Sequence, residues 1–458
     1  MVRSAFWGCG LPELRQVSIM RKIILTTAAF LFSGILTTVR GQDSLRQALS
    51  LKQVFQLALS NSVQLKVSEK GAEIAKQRIE IDKLGQLPAL GTGFNYGYLS
   101  NADIWTPGFS KHIVSDLPHH LVDFTISAGE VIFKGNEIKN DILKSGFEEQ
   151  VARLAHEKDE DDIKLLVTAK YLDIYRLINT REVYQNNIRL AQNRLRNVLT
   201  MKRQGMVTEN DVLRTKLTIS DLRLAVVRAD NDIRIDNRQL NMVTGLPDSA
   251  RLVPDSTLLR TADISTGIQQ YLDDAFRNNH ELKIAATESR IAETNVKLAG
   301  ADRYPELSIF AESDLQRPYL NSTPAQDVYY NAWEAGISLS YNIGSLYQSR
   351  RKIKASKLAL EQTKQTELLQ TQNLNVNVSA NFIKFNEAKY ELKVLQSDLR
   401  SAEENYRIVE RKYFNQLALL TDMIDATNTK IEAELSVTNA QINVVYTYYQ
   451  LLKSVGTI

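Results

Sequence analysis

Two hydrophobic periodicities alternate along this chain, and their order occurs twice. Residues 51–86 carry apolar side chains at helical spacing. From Ala89 to Ser100 the period falls to two, with Phe94, Tyr96 and Tyr98 on one face and Gly93, Asn95 and Gly97 on the other. Val122, Phe124, Ile126 and Ala128 then alternate with Asp123, Thr125 and Ser127. A proline-free helical stretch follows over 136–245. The succession returns with a helical segment at 267–304 and alternation at Leu307, Ile309 and Ala311 against Ser308, Phe310 and Glu312. Trp333, Ala335, Ile337, Leu339 and Tyr341 alternate with Glu334, Gly336, Ser338 and Ser340, and a second proline-free helical stretch fills 345–458.

The repetition extends to individual residues. Ala58–Lys66 matches Ala275–Lys283, and the same register sets Leu87-Pro88 on Tyr304-Pro305. Gly135 corresponds to Gly344, Asp211 to Asp422 and Gly245 to Gly456. Agreement at five places, at offsets between 209 and 217, points to internal duplication. The expected organisation is residues 42–250 as a first repeat, 251–266 as a linker and 267–458 as a second repeat.

The long helices have narrow seams. Tyr184, Ile188, Ala191, Leu195 and Val198 step by four and three, as do Leu222, Val226, Ala229 and Ile233. Leu395, Leu399, Ala402, Tyr406, Val409 and Tyr413 do the same in the second half. This is coiled-coil spacing. Gly205 divides the first stretch into a helix of about 68 residues and a returning one of about 36, the longer reaching about 100 Å. Gln, Asn, Thr, Lys and Asp fill the other faces, which suits a rod or the wall of a hollow cylinder better than a thick core.

Each alternating run is close to the length of a tilted membrane-crossing strand. The last has aromatics at both ends of an apolar face, the girdle pattern of a membrane barrel. Four strands cannot close such a barrel in one chain, so several chains must share it. The segments 101–120 and 317–331, rich in Pro, Asn, Ser and Asp, are expected as loops beyond the membrane, and His112, His119 and His120 as ordinary loop histidines.

Charge and the N-terminus sharpen this picture. Arg21 and Lys22 precede an apolar run from Ile23 to Leu36, and Val39-Arg40-Gly41 offers a cleavage site before Gln42. Residues 1–41 are therefore expected to be an upstream extension plus a secretory signal starting at Met20. The run is short for a membrane anchor. Arg3, Arg15, Arg21, Lys22 and Arg40 against Glu13 make this segment +4; the total of +3 then leaves −1 for the rest. Nucleic acid gains no support from that balance. Cys9, the single cysteine, precedes the apolar run, so the mature chain is expected to form no disulfide and no thiolate metal site.

An enzyme is not expected. Gly91-Thr-Gly93 lies within a strand and lacks a phosphate-binding fingerprint. No Ser/His/Asp constellation and no metal-spaced cluster occurs in the sequence; His156 and His280 stand singly on helical segments, expected solvated. Neither cofactor nor resident metal is expected.

The duplicated organisation and two helix-turn-helix tips resemble the TolC family of outer-membrane efflux proteins over residues 50–458. Gly205-Met-Val-Thr-Glu-Asn-Asp211-Val-Leu213 is similar to the family's first tip, and Tyr413-Phe-Asn-Gln-Leu-Ala-Leu-Leu-Thr-Asp422-Met-Ile-Asp425-Ala-Thr427 to its second. The resemblance implies a mainly α fold with β: an outer-membrane β-barrel shared by a homotrimer, four strands per chain, continued by a periplasmic α-helical barrel. It implies an exit duct for small toxic compounds, with a periplasmic adaptor, a proton-driven or ABC inner-membrane pump, and outer-membrane lipid as partners. A type I protein-secretion duct is the alternative within the class, and a non-conducting envelope scaffold the alternative outside it.

The family's pore gate carries over to Asp422 and Asp425. Spaced i and i+3, they share a helix face, and threefold symmetry would stack them as two carboxylate rings. Two exposed aspartates near a helix N-terminus are the plain reading of the same residues. Asp211 and Tyr413 match the family's tip network. Its basic partner is replaced by Ala418 and its tip glycine by Gln416, so a gate held by other contacts is expected. Gly205, Met206, Val207, Thr208, Leu417, Ala418 and Leu419 are the candidates for adaptor contact; a hydrophobic staple of the turns explains the same apolar residues.

Overall fold

In a computed structural model, residues 46–255, 267–322 and 324–458 are described. The expected signal segment, Cys9 and most of the linker lie outside them. Every long periodic segment takes its expected form. The first half contains α1 (Leu51–Asn61), α2 (Val63–Leu84), β2 (Ala89–Tyr98), β5 (His120–Lys134), α3 (Glu137–Arg203) and α4 (Glu209–Thr244). The second contains α5 (Ile268–Asn278), α6 (His280–Ala301), β7 (Glu306–Arg317), β8 (Tyr330–Ser340), α7 (Ser345–Phe414) and α8 (Leu420–Val455).

Three features depart from the sequence reading. The segments 51–86 and 267–304 each break into two helices, at Ser62 and Asn279, whose side chains accept from Leu65 N and Leu282 N and so start a new helix. The loop 101–120 contains a short hairpin, β3 (Ala102–Trp105) and β4 (His112–Ser115). The linker begins as a strand, β6 (Arg251–Pro254), parallel to β1 (Arg46–Leu49). The Tyr171 hydroxyl fixes this pair, donating to Leu49 O and accepting from Asp255 N, both at 2.7 Å.

The duplication is present in the packing. Ile163, Val167, Ile174 and Leu240 are buried beneath α1, and Leu374, Val378, Phe385 and Leu451 are buried beside α5. Each member of the second set lies 211 positions after its counterpart, as 374 − 163 shows. Asn61 Nδ2 donates to Thr244 O at 3.0 Å, and Asn279 Nδ2 to Ser454 O at 3.1 Å. Gly245 and Gly456 leave no room for a Cβ at these two junctions.

The four long strands form one antiparallel sheet in the order β2-β5-β7-β8. The helices continue it in the same order. α2 enters β2, β5 continues into α3, α6 enters β7 and β8 continues into α7; α2 packs on α3, α3 on α6 and α6 on α7. The result is a wall one element thick. α4 and α8 return along α3 and α7, and the helix of 67 residues is about 100 Å long. Among the described residues no helix is long and apolar enough to cross a membrane.

Candidate functional site at the hairpin tips

The two turns at the far end of the wall share one design with different residues. After α3 the chain turns at Gly205, with φ 73°, and Thr208 caps α4. Thr208 N donates to Asp211 Oδ2 at 2.8 Å, and Asp211 N donates back to Thr208 Oγ1 at 3.4 Å. This reciprocal box satisfies two amides that the helix leaves open. Lys202 and Glu209 pair across the turn, and the lysine holds the Glu209 carboxyl below the usual carboxylate range. After α7 the equivalent turn falls at Gln416, with φ 62°. A side chain there is strained, because a left-handed backbone crowds its Cβ. Leu419 stands in the place of Thr208 and has no hydroxyl, so only half the box survives: Leu419 N donates to Asp422 Oδ2 at 2.9 Å.

Asp422 therefore serves as a helix cap. Asp425, one turn on, has no ion pair among the described residues, and both aspartates are exposed. The opposite side of this helical turn is closed, with Met423, Ala426 and Thr427 buried. α8 thus packs one face and offers two carboxylates on another.

The tips are joined by a shared core of Val198, Val212, Tyr406, Tyr413, Leu420 and Met423. Asp211 and Tyr413 approach each other without a hydrogen bond. The Asp211 carboxylate serves its own cap, and the buried Tyr413 hydroxyl has no partner. Burial pushes the phenol up; Asp211 adds to the shift and Arg194 opposes it. The expected ionic partner is absent at Ala418, which packs against the tip core. A buried cation comes instead from α3: Arg194 donates from Nη2 to Thr427 Oγ1 at 2.9 Å. Arg194 lies between Ala191 and Val198 at i+3 and i−4 and so on the seam face, yet no motif marks it in the sequence. Gln416 Nε2 also reaches Met206 Sδ at 3.3 Å, linking the turns directly.

The candidate contact residues divide. Met206, Leu417 and Leu419 are 50%, 75% and 70% exposed, and Gly205 lies open beside them. Val207 and Ala418 turn inward onto the tip core, and the Thr208 hydroxyl is occupied by its cap.

At the other end the sheet has two chemically distinct faces. Cross-strand register places Leu90, Phe94 and Tyr96 with Val122, Phe124, Ile126, Leu307, Ile309, Trp333, Ile337 and Leu339 on one side. Asp123, Thr125, Ser127, Ser308, Glu312, Asp314 and Glu334 lie on the other, with Glu312 directly opposite Glu334. β2 and β8 form free edges. The loop histidines are separately engaged: His112 with Asp103 at 2.6 Å, His119 with Leu99 O at 2.9 Å and His120 with the Tyr96 hydroxyl at 2.9 Å. The helix histidines are less exposed than expected. His156 bonds Ser68 at 2.9 Å, and His280 lies 3.3 Å from Glu157 and 3.4 Å from Asp161, where it ties α6 to α3.

Residues 271–457 match the family "Outer membrane efflux protein". The chain is 21% identical to outer membrane protein TolC of Escherichia coli K12, across 92% of this chain and 85% of the relative. It is also 21% identical to outer membrane efflux protein BepC of Brucella suis biovar 1, across 94% and 90%. The outer membrane protein VceC of Vibrio cholerae superposes with a TM-score of 0.73, covering 89% of this chain and 96% of that one at 12% identity. The second half of the chain thus matches the outer membrane efflux protein family, and over most of its length the chain is similar to outer-membrane efflux proteins.

Proposed function

We propose that the chain is one third of a passive exit duct, in which three copies close a single barrel and the inner-membrane partner chooses the cargo. The observation that carries this reading is the sheet itself, with one apolar face, one polar face and two unpaired edges. An isolated chain would leave β2 and β8 as aggregation-prone edges. Because the strands alternate in direction, β8 of one copy meets β2 of the next antiparallel, and the apolar face turns to lipid.

The helical wall supports the same assembly. Its two flanking helices carry exposed apolar stripes: Val63, Val67, Ile74 and Ile81 on α2, and Leu369, Val376, Ile383 and Tyr390 at sevenfold spacing on α7. Such stripes belong in a coiled-coil seam with a neighbour. In this reading, residues 42–250 and 267–458 are two repeats of the wall joined by 251–266.

The duct is cation-preferring. Asp123, Glu312, Asp314 and Glu334 face the lumen of the barrel, and Asp422 and Asp425 ring the tip as its gate. A periplasmic adaptor docks on the exposed Met206, Leu417 and Leu419 beside Gly205, and a proton-driven or ABC pump feeds the duct with small toxic compounds.

Cysteine pairs across the edges test the closure. Phe94→Cys or Leu90→Cys in β2, combined with Trp333→Cys or Ile337→Cys in β8, should give a covalent ladder ending at a trimer on oxidation. Ladders that end at two copies, or monomers from every pair, would reject the threefold barrel.

A further inference from the structure

Where the sheet passes into the helices, a cleft of about 860 Å³ opens between the first turns of α3 and the last turns of α6. Lys139 enters it from α3, and Lys297 and Arg303 from α6 and its end. All three are exposed, and none has an ion pair among the described residues. The neighbouring carboxylates are already engaged, Asp302 with Lys352 at 2.5 Å and Glu137 with Lys134 at 3.2 Å. The N-terminus of α3 adds to the positive field, because Asn136 provides no side-chain cap for its open amides. Leu143 and Leu346 line the cleft beside these charges.

The position of the cleft selects its occupant. Tyr304, on its rim, packs edge-on against Phe133, which lies on the apolar face of the sheet opposite Leu307. Tyr341 follows the last residue of β8, and its hydroxyl donates to Arg303 O at 3.4 Å. The cleft therefore opens where the lipid-facing surface ends and the periplasmic helices begin. It sits under β5 and β7, the two inner strands, with Leu346 of α7 at one side, so a single chain supplies the whole lining.

We propose that this cleft binds the phosphate headgroup of an anionic phospholipid in the periplasmic leaflet of the outer membrane. Lys139, Lys297 and Arg303 take the phosphate oxygens, and Leu143, Tyr304 and Leu346 border the acyl chains. The proposal rests on the reading that the sheet spans the membrane with its apolar face to lipid.

Native mass spectrometry of the full-length protein, delipidated and titrated with phosphatidylglycerol, cardiolipin or phosphatidylcholine, tests it. The wild type should retain one anionic lipid per chain in preference to phosphatidylcholine. The Lys139→Gln/Lys297→Gln/Arg303→Gln variant should bind that lipid about tenfold more weakly or worse. An equal change of charge on α4, Lys216→Gln/Arg223→Gln/Arg228→Gln, should leave binding as in wild type. Gly300→Leu keeps every charge and fills the cleft, since a Cβ there meets nothing within 4 Å; it should lower occupancy as well. Unchanged retention in the triple variant, equal retention of phosphatidylcholine, or displacement of the lipid by inorganic phosphate at the same concentration would overturn the assignment. Conductance of the same preparations separates the outcomes: variants that conduct normally but differ from expectation in lipid binding refute this site alone, whereas a wild type that conducts nothing refutes the barrel reading beneath it.

Discussion

Arg194 of α3 donates to Thr427 of α8 across the two hairpins, and its side chain is buried where the tips meet. The bond joins the first half of the chain to the second at the end of the wall. A hydrogen bond from a charged donor is worth about 1.5–3 kcal/mol. Arg194→Met should loosen the tip, raising amide exchange over residues 406–430 and increasing conductance. Thr427→Val should do less, because the guanidinium keeps its contact with Tyr406. Exchange unchanged in Arg194→Met would show that this pair does not hold the tip together.

Gln416 holds a backbone conformation that costs a side-chain-bearing residue about 1–2 kcal/mol. Gln416→Gly should relieve it and raise the midpoint of thermal unfolding, less whatever the Met206 contact contributes. The reciprocal change at the first tip, Gly205→Gln, should lower the midpoint by a similar amount. Opposite signs in a calorimetric scan are the expected signature.

Tyr413 gives a test of the tip network that runs against intuition. Its hydroxyl is buried without a partner, a condition costing about 1–3 kcal/mol. Tyr413→Phe should therefore stabilise the protein at neutral pH. The pH dependence follows from the raised phenol. The folded state keeps its proton after the unfolded state, near pH 10, begins to lose it. This contribution to stability is complete below that pH and lost as pH rises through the folded value. The advantage of Tyr413→Phe over wild type should therefore widen in alkaline urea titrations. Destabilisation by Tyr413→Phe at neutral pH would show that the hydroxyl holds the tip after all.

Asp422 and Asp425 are separable, because one caps a helix and the other does not. Asp422→Ala should cost about 1 kcal/mol in stability through the lost cap, and should also weaken cation preference. Asp425→Ala should weaken cation preference and block by multivalent cations with little effect on stability. Reversal potentials under a salt gradient, measured beside unfolding curves, distinguish these outcomes. Unchanged selectivity in the double variant would reject the gate.

The fold was legible where periodicity is strong and long. The 4-3 seam of α3 and the alternation of β8 each follow from side chains that one geometry alone buries or aligns. Short elements escaped. β1 and β6 have four residues each, and what fixes them is distant, the Tyr171 hydroxyl 122 positions from Leu49. The helix breaks at Ser62 and Asn279 were hidden because capping leaves the apolar pattern almost continuous. At the tips, the sequence revealed that Ala418 supplies no charge but not that Arg194 does. A seam arginine resembles a solvated one until the facing helix is known. The inward turn of Val207 and Ala418 depends in the same way on the tertiary neighbours gathered around Met423.

The central claim is that this chain assembles into a conducting, cation-preferring duct, and planar-bilayer recording of the purified protein tests it most directly. The expected result is discrete single-channel current with a reversal potential displaced toward the cation equilibrium, and a smaller displacement in Asp422→Ala/Asp425→Ala. A purified trimer that passes no ion current under any condition would contradict the account and make the chain a scaffold.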